Sequence, residues 1–253
     1  MGNSHLDQAR GLRSIFCRNG PAMLAFVGAA DTTGVTLDVA LTLAQAGHRV
    51  LVLDRTHGEA ATGLGLKARY DLAHLLRGER RLEELVQWSP HGIAVLPAAR
   101  ALAAMDDGDP AMQAGVARFL ASVRDRFDLC LVNGAPPAVT GDDLPHEVVL
   151  VTAPTRASIT DAYAQIKALA PTADRFRLRV VVNRAANEDS ARSIYTSLAE
   201  TARRFLAAQL DYGGYLPPAD AAPARRAQPS RKQALTRIAR VLLADAAPQY
   251  AMS

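Results

Sequence analysis

Lysine is scarce in this chain. Of its 29 basic residues only Lys67, Lys167 and Lys232 are lysine, and arginine supplies the rest. Cysteine is scarcer still: Cys17 and Cys130 lie far apart without metal-ligand spacing, which excludes a zinc site or a disulfide framework built on them. Cys130 falls inside the apolar run FDLCLV and reads as core filler. No run approaches the roughly 20 apolar residues that a bilayer crossing needs, and MGNSHLDQARGLR has no apolar signal core. The expectation is a cytoplasmic protein. A net charge of +4 is mild and gathers in the N-terminal segment and in residues 225–240, so no direct nucleic-acid partner is expected.

What the sequence has in quantity is apolar surface to bury. With 253 residues and 49% apolar content, one sizeable core is the default. Short apolar or β-branched runs recur at 22–28, 49–53, 92–97, 127–132, 147–153, 177–183 and 209–216. Stretches with helical spacing separate them at 36–47, 70–77, 112–126, 158–170 and 190–208. Continuous apolar strands alternating with amphipathic helices predict an α/β fold, a mostly parallel central sheet with helices on both faces. Ligands of such sheets bind beyond the carboxyl ends of the strands.

The first strand-to-helix turn is therefore the place to look, and it reads GAADTTGVT over 28–36. A phosphate loop aims backbone N–H groups and a helix N-terminus at phosphate, and a lysine adds full charge. Here Gly28 and Gly34 permit unusual backbone angles, and Thr36 offers a hydroxyl to cap the helix or meet magnesium. No lysine is present, and Asp31 sets a carboxylate where phosphates would sit. Two further readings stand beside the phosphate loop. One is an ordinary tight turn that binds nothing. The other is a dinucleotide site with Asp54, 20 residues after Gly34, as the ribose acid, although the fingerprint G-x-G-x-x-G is absent.

Several stretches together resemble the MinD/ParA class of P-loop ATPases, in particular its flagellar-number regulator branch, FlhG or FleN. The class pattern G-K-G-G-V-G-K-T aligns on residues 29–36, with Ala30 and Val35 at the two lysine positions. RVLVLDRTHGEA keeps Asp54 and Gly58 and has Thr56 at the place of the water-handling acid. FDLCLVNGAPP resembles the Walker B segment, with Asp128 kept and Asn133 at the position of the magnesium-linked Asp. APTRASITDAYAQIKAL (153–169) and LGLKARYDLAHLLRGERRLEELV (64–86) are close to segments of this branch, and Asn183 matches its adenine-contacting Asn. The resemblance implies a P-loop NTPase fold with ATP and magnesium as cofactors. The missing cations and acids argue against both, leaving Gly34, Thr36, Asp54 and Asn183 as the residues to hold any nucleotide and no intact catalytic or metal set. Phosphoryl transfer depends on charge neutralisation, so the expectation is a pseudo-ATPase.

The two ends of the chain carry the remaining signals. HLDQARGLRSIF (5–16) sets Leu6, Ala9 and Leu12 on one helical face. The resemblance makes D-Q-A-x-x-L-R, here Asp7, Gln8, Ala9, Leu12 and Arg13, a partner-binding activator helix for an FlhF-like GTPase of the signal-recognition-particle type. Flagellar basal-body proteins or a flagellar transcription activator are the partners the resemblance implies for the body of the domain. SRKQALTRIARVLLADA (230–246) sets Leu235, Ile238, Val241 and Leu242 on one face, with Arg237 and Arg240 off it. Such a helix docks on its own sheet or lies peripherally on an anionic membrane at the inner face. The expected organisation is an activator helix (1–20), a MinD-like domain (21–218), and a linker with an amphipathic helix (219–253). The competing functional expectation is an active ATPase that switches between monomer and ATP-bound, membrane-associated dimer.

Overall fold

A computed structural model describes residues 21–136, 147–173, 176–219 and 229–246. In chain order the elements are β1 (Ala22–Gly28), α1 (Thr32–Gln45), β2 (Val50–Asp54), α2 (Glu59–Gly63), α3 (Leu72–Leu76), α4 (Leu82–Leu85), β3 (Gln87–Trp88) and β4 (Ile93–Pro97). There follow α5 (Ala99–Asp106), α6 (Pro110–Val123), β5 (Leu129–Asn133), β6 (Glu147–Thr152), α7 (Arg156–Leu169), β7 (Arg177–Asn183), α8 (Glu188–Leu206), β8 (Asp211–Leu216) and α9 (Arg231–Ala246). The strands form one sheet in the order β3-β4-β2-β5-β1-β6-β7-β8, parallel except for the β3–β4 pair. The α/β expectation holds.

Side chains alternate between two cores because successive strand residues face opposite ways. Met23, Ala25 and Val27 of β1 join Cys130 and Val132 of β5 on one face, under α3 and α5–α8. Leu24 and Phe26 join Leu129 and Leu131 on the other, under α1 and α9. β1, β2, β4, β5 and β6 are buried along nearly their whole length, which is why they read as unbroken apolar runs. Cys130 sits in that core, and burial pushes its thiol up to about 12, far from any reactive range.

The sequence reading missed the eight-residue helix α5 and three shorter elements. α2, α4 and the two-residue edge strand β3 hold too few residues to show a period. The segment containing α3 is held by a single carboxylate. Asp71 Oδ1 accepts from Ala73 N (2.9 Å) and Ala101 N (3.2 Å), and Oδ2 accepts from Arg100 N (3.0 Å). One side chain thus caps the starts of α3 and α5, two helices 27 residues apart in sequence.

Asp128 does comparable work at the opposite, amino end of the sheet. It accepts from Arg49 N (2.8 Å) and pairs with the Arg49 guanidinium. Burial alone would raise its carboxyl, but the Arg49 hydrogen bonds and the nearby positive charge outweigh that and hold it below the ordinary value. Asp128 is therefore a strap between β2 and β5, away from the strands' carboxyl ends.

Two predictions come from these carboxylates. Asp71→Ala should lower unfolding stability by about 2–3 kcal/mol, the loss of two helix caps, read as a lower urea midpoint at unchanged slope. Because the folded state depresses the Asp128 pKa, its contribution is present above the ordinary aspartate value and is lost as pH falls through the folded one. The stability gap between wild type and Asp128→Asn should thus be open at pH 7 and close below about pH 4.

Candidate functional site

The carboxyl ends of β2 and β5 place Asp54 and Asn133 opposite each other in register, and both are fully buried. A buried carboxylate has to be satisfied by neighbours. Asp54 Oδ1 accepts from Thr56 N (3.0 Å), the Thr56 hydroxyl (2.5 Å) and Asn133 Nδ2 (3.2 Å), while Oδ2 accepts from Ala60 N (3.1 Å). Asn133 Nδ2 also reaches Thr33 Oγ1 (3.1 Å) and Thr56 Oγ1 (3.3 Å). Thr36, buried in α1, donates to Thr32 O (2.8 Å) and lies 3.3 Å from Asn133 Oδ1. Thr33 in turn donates to Glu59 Oε2 at 2.8 Å. Above this network opens a cleft of about 410 Å³, lined by Gly28, Asp31, Thr32, Glu59 and Gln165 among others.

The loop differs from its sequence reading. α1 starts at Thr32, so Gly34 and Thr36 lie within the helix and Thr36 does not cap it. The cap is Asp31, which takes the left-handed conformation (φ 57°) and accepts from Gly34 N at 3.3 Å. Its carboxylate thereby holds an N–H that a phosphate would need, and Arg184 lies 3.7 Å from its other oxygen. Thr32 Oγ1 closes the turn onto Gly28 O at 2.7 Å. Gly28 is required there: at φ 133° a Cβ would meet Val151 O at 2.0 Å. Val35, at the position of the second family lysine, is fully buried in the core under α1. Ala30 offers its carbonyl to Asn183 Nδ2 (3.1 Å).

Asn183 ends β7 on the other side of the loop and is also fully buried. Its Oδ1 accepts from Arg184 N (3.0 Å) and from Arg231 Nη1 (3.2 Å), and Arg231 is the first residue of α9. Arg231 Nη1 also donates to Pro217 O (2.8 Å), while Nε and Nη2 bind Asp38 Oδ2 of α1 at 3.1 and 2.8 Å. α9 itself is seated on the sheet. Ala234, Leu235, Ile238, Ala239 and Leu242 are buried, whereas Val241 at the margin of the stripe is 36% exposed and Arg237 and Arg240 face outward. No helix among the described residues is long and apolar enough to cross a membrane. The N-terminal residues Asp7, Gln8, Ala9, Leu12 and Arg13 lie outside the described residues.

A magnesium nucleotide would ask this site for free loop N–H groups, oxygen ligands around a cation and an open amide for the base. The residues present do not fit it. Asp31 uses the Gly34 N–H in the first turn of α1, an amide NH2 points at the oxygens that would face the cation, and both ends of the Asn183 amide are engaged. Asp54 fits a ribose hydroxyl no better, because it is buried and already saturated. Arg231, Asp38, Thr33 and Glu59 were not legible as site residues. Arg231 and Asp38 are 193 residues apart, and no local pattern announces such a pair.

A parallel sheet of this order, with its first turn and the ends of β2, β5 and β7 converging on one cleft, defines a MinD/ParA-type member of the P-loop NTPase fold. The structure is similar to MinD in the MinC:MinD complex of Aquifex aeolicus, with a TM-score of 0.60 and 22% identity over 87% of this chain and 95% of that one. No family model matches. At the level of sequence it is 33% identical over 198 residues to the antiactivator FleN of Pseudomonas aeruginosa, covering 75% of this chain and 70% of FleN. It is 27% identical over 201 residues to the flagellum site-determining protein YlxH of Helicobacter pylori, covering 74% of this chain and 65% of that protein. The chain belongs to the FleN family.

The Arg231 contacts yield a prediction. Arg231→Ala should loosen α9 without unfolding the sheet, seen as faster hydrogen exchange in residues 231–244 with little change in β1, β5 and β6. Equal acceleration in the strands would mean that Arg231 holds the whole domain.

Proposed function

We propose that this chain is a regulator of flagellar number or placement that works through protein contacts and does not turn over ATP. The likeness to FleN, over three quarters of the chain, supports the flagellar part. The part concerning ATP rests on the cleft, where Asn133 presents an amide instead of a carboxylate beside Asp54 and where Asp31 stands in the loop. Catalysis of phosphoryl transfer would need charge stabilisation worth several kcal/mol from groups that this sequence replaces with Ala30, Val35, Thr56 and Asn133.

In this reading the output lies in D-Q-A-x-x-L-R. Asp7, Gln8, Ala9, Leu12 and Arg13 form a helix that docks on an FlhF-like GTPase, with Gln8 assisting hydrolysis of the partner's GTP. Basal-body proteins or a flagellar transcription activator meet the body of the domain. The basic outer face of α9, with Arg237 and Arg240, adds a peripheral contact with anionic membrane while the helix stays docked.

Deleting the gene should change the number of flagella per cell counted by electron microscopy, and the wild-type gene should restore it. A peptide of residues 1–20 should accelerate GTP hydrolysis by the cognate FlhF-like GTPase, and Gln8→Ala should weaken that effect; an inert wild-type peptide would remove the activator role. Purified full-length chain with ATP and magnesium should release no phosphate above background. Turnover that disappears in Thr36→Ala would establish the active, switching ATPase instead.

A further inference from the structure

Asn133 Nδ2 has two hydrogens and three oxygens around it: Thr33 Oγ1 at 3.1 Å, Asp54 Oδ1 at 3.2 Å and Thr56 Oγ1 at 3.3 Å. A directional donor gains little from a third acceptor, so this crowding is what a centre of positive charge would collect. The oxygens come from α1, the end of β2 and the turn after it, while the amide comes from the end of β5. The orientation of the amide is fixed by chemistry. Turning it over would set Oδ1 against the acceptor-only oxygen of Asp54. Asp54 and Asn133 are both fully buried, so water does not share the task at either atom.

We infer that the Asn133 amide is a covalently attached substitute for a divalent cation, which closes the carboxyl ends of β2 and β5 around α1 without any ligand, and that one atom's change turns this hub into a metal site. Asn133→Asp removes the NH2 and sets a second carboxylate against Asp54. Two buried carboxylates about 3 Å apart repel strongly. A magnesium or manganese ion relieves that repulsion, with both carboxylates and the hydroxyls of Thr33 and Thr56 as hard oxygen ligands. The native chain, with a neutral amide in place, has one buried carboxylate there and no need of the ion. The inference deepens the proposed function, since it makes the site's independence of ligand a built property of one residue.

The test is thermal unfolding of the full-length chain in sodium chloride and in millimolar magnesium or manganese chloride at matched ionic strength. The wild-type midpoint should be the same in all three salts. Asn133→Ala, which strips the donor and adds no charge, should unfold on the order of 5 °C lower and be equally indifferent to the cation. Asn133→Asp should also unfold lower in sodium chloride and regain most of the loss with magnesium or manganese. If this variant is recovered folded only when purified with manganese, that supports the inference equally. A wild-type midpoint raised by magnesium as much as that of Asn133→Asp would overturn it. So would an Asn133→Asp variant as stable as wild type without metal, or one that no cation restores, folded or not. The measurement contains no nucleotide, GTPase or flagellum. Phosphate release from ATP would overturn the proposed function, whereas a cation-indifferent Asn133→Asp overturns only this inference.

Discussion

The carboxyl end of the sheet is organised by one buried carboxylate. Asp54 is removed from water and must be matched by donors, or the end of β2 would carry an uncompensated polar group at a cost of a few kcal/mol. Neutral donors meet that demand: two backbone N–H groups, a hydroxyl and an amide. Each comes from a different structural job. Thr56 N fixes the turn after β2, Ala60 N opens α2, and Asn133 ties β5 to β2 and, through Thr33 and Thr36, to α1. The same contacts that satisfy Asp54 therefore position the loop, the first helix and the cleft.

A second tie runs through Arg231 and reaches the same cleft from the other side. Its guanidinium meets α1 at Asp38, β7 at Asn183 and the segment after β8 at Pro217. The apolar stripe of α9 supplies most of the adhesion by burying Leu235, Ile238 and Leu242. That adhesion is non-directional, so it does not by itself set the helix's position along its axis. Arg231, a planar fork with several fixed donors, supplies that register. The site and the C-terminal helix are thus mechanically one unit, joined through the amide that the family resemblance assigns to the base.

The sheet was legible in the sequence because its strands are buried on both faces and spell out runs such as LAFV and LCLV. α7, α8 and α9 were legible because their periodicity is long. The short elements were not, since Glu59–Gly63 and Gln87–Trp88 are held by neighbours instead of by their own pattern. At the site, the residues at strand ends were found, because Asp54, Asn133 and Asn183 each close an apolar run. Of their partners, Thr36 and Thr56 were named as well, whereas Thr33, Glu59, Asp38 and Arg231 were not. Thr36 was placed at a helix start because the stretch with helical spacing was read from residue 36, whereas Asp31 caps α1, which begins four residues earlier at Thr32. Val241 was grouped with the docking stripe by its spacing and lies at the margin, where a small rotation of the helix decides exposure.

A ligand shifts a protein between two states only by as much as it binds one better than the other. The family resemblance implies a switch of this kind, with ATP choosing between a monomer and a dimer. A site whose Gly34 N–H, cation position and base amide are each engaged by the chain's own groups has less binding energy left to offer, and little of it would differ between states. Under the proposed reading, control then passes to quantities that need no such difference: how much of the chain is present, and which partner surfaces it meets. On that same reading, the D-Q-A-x-x-L-R segment proposed to bind a partner suits this regime. Its proposed affinity for a partner GTPase would follow from its own residues, Ala9 and Leu12 among them, and not from the state of the cleft, so a nucleotide site that no longer switches would leave its action in place.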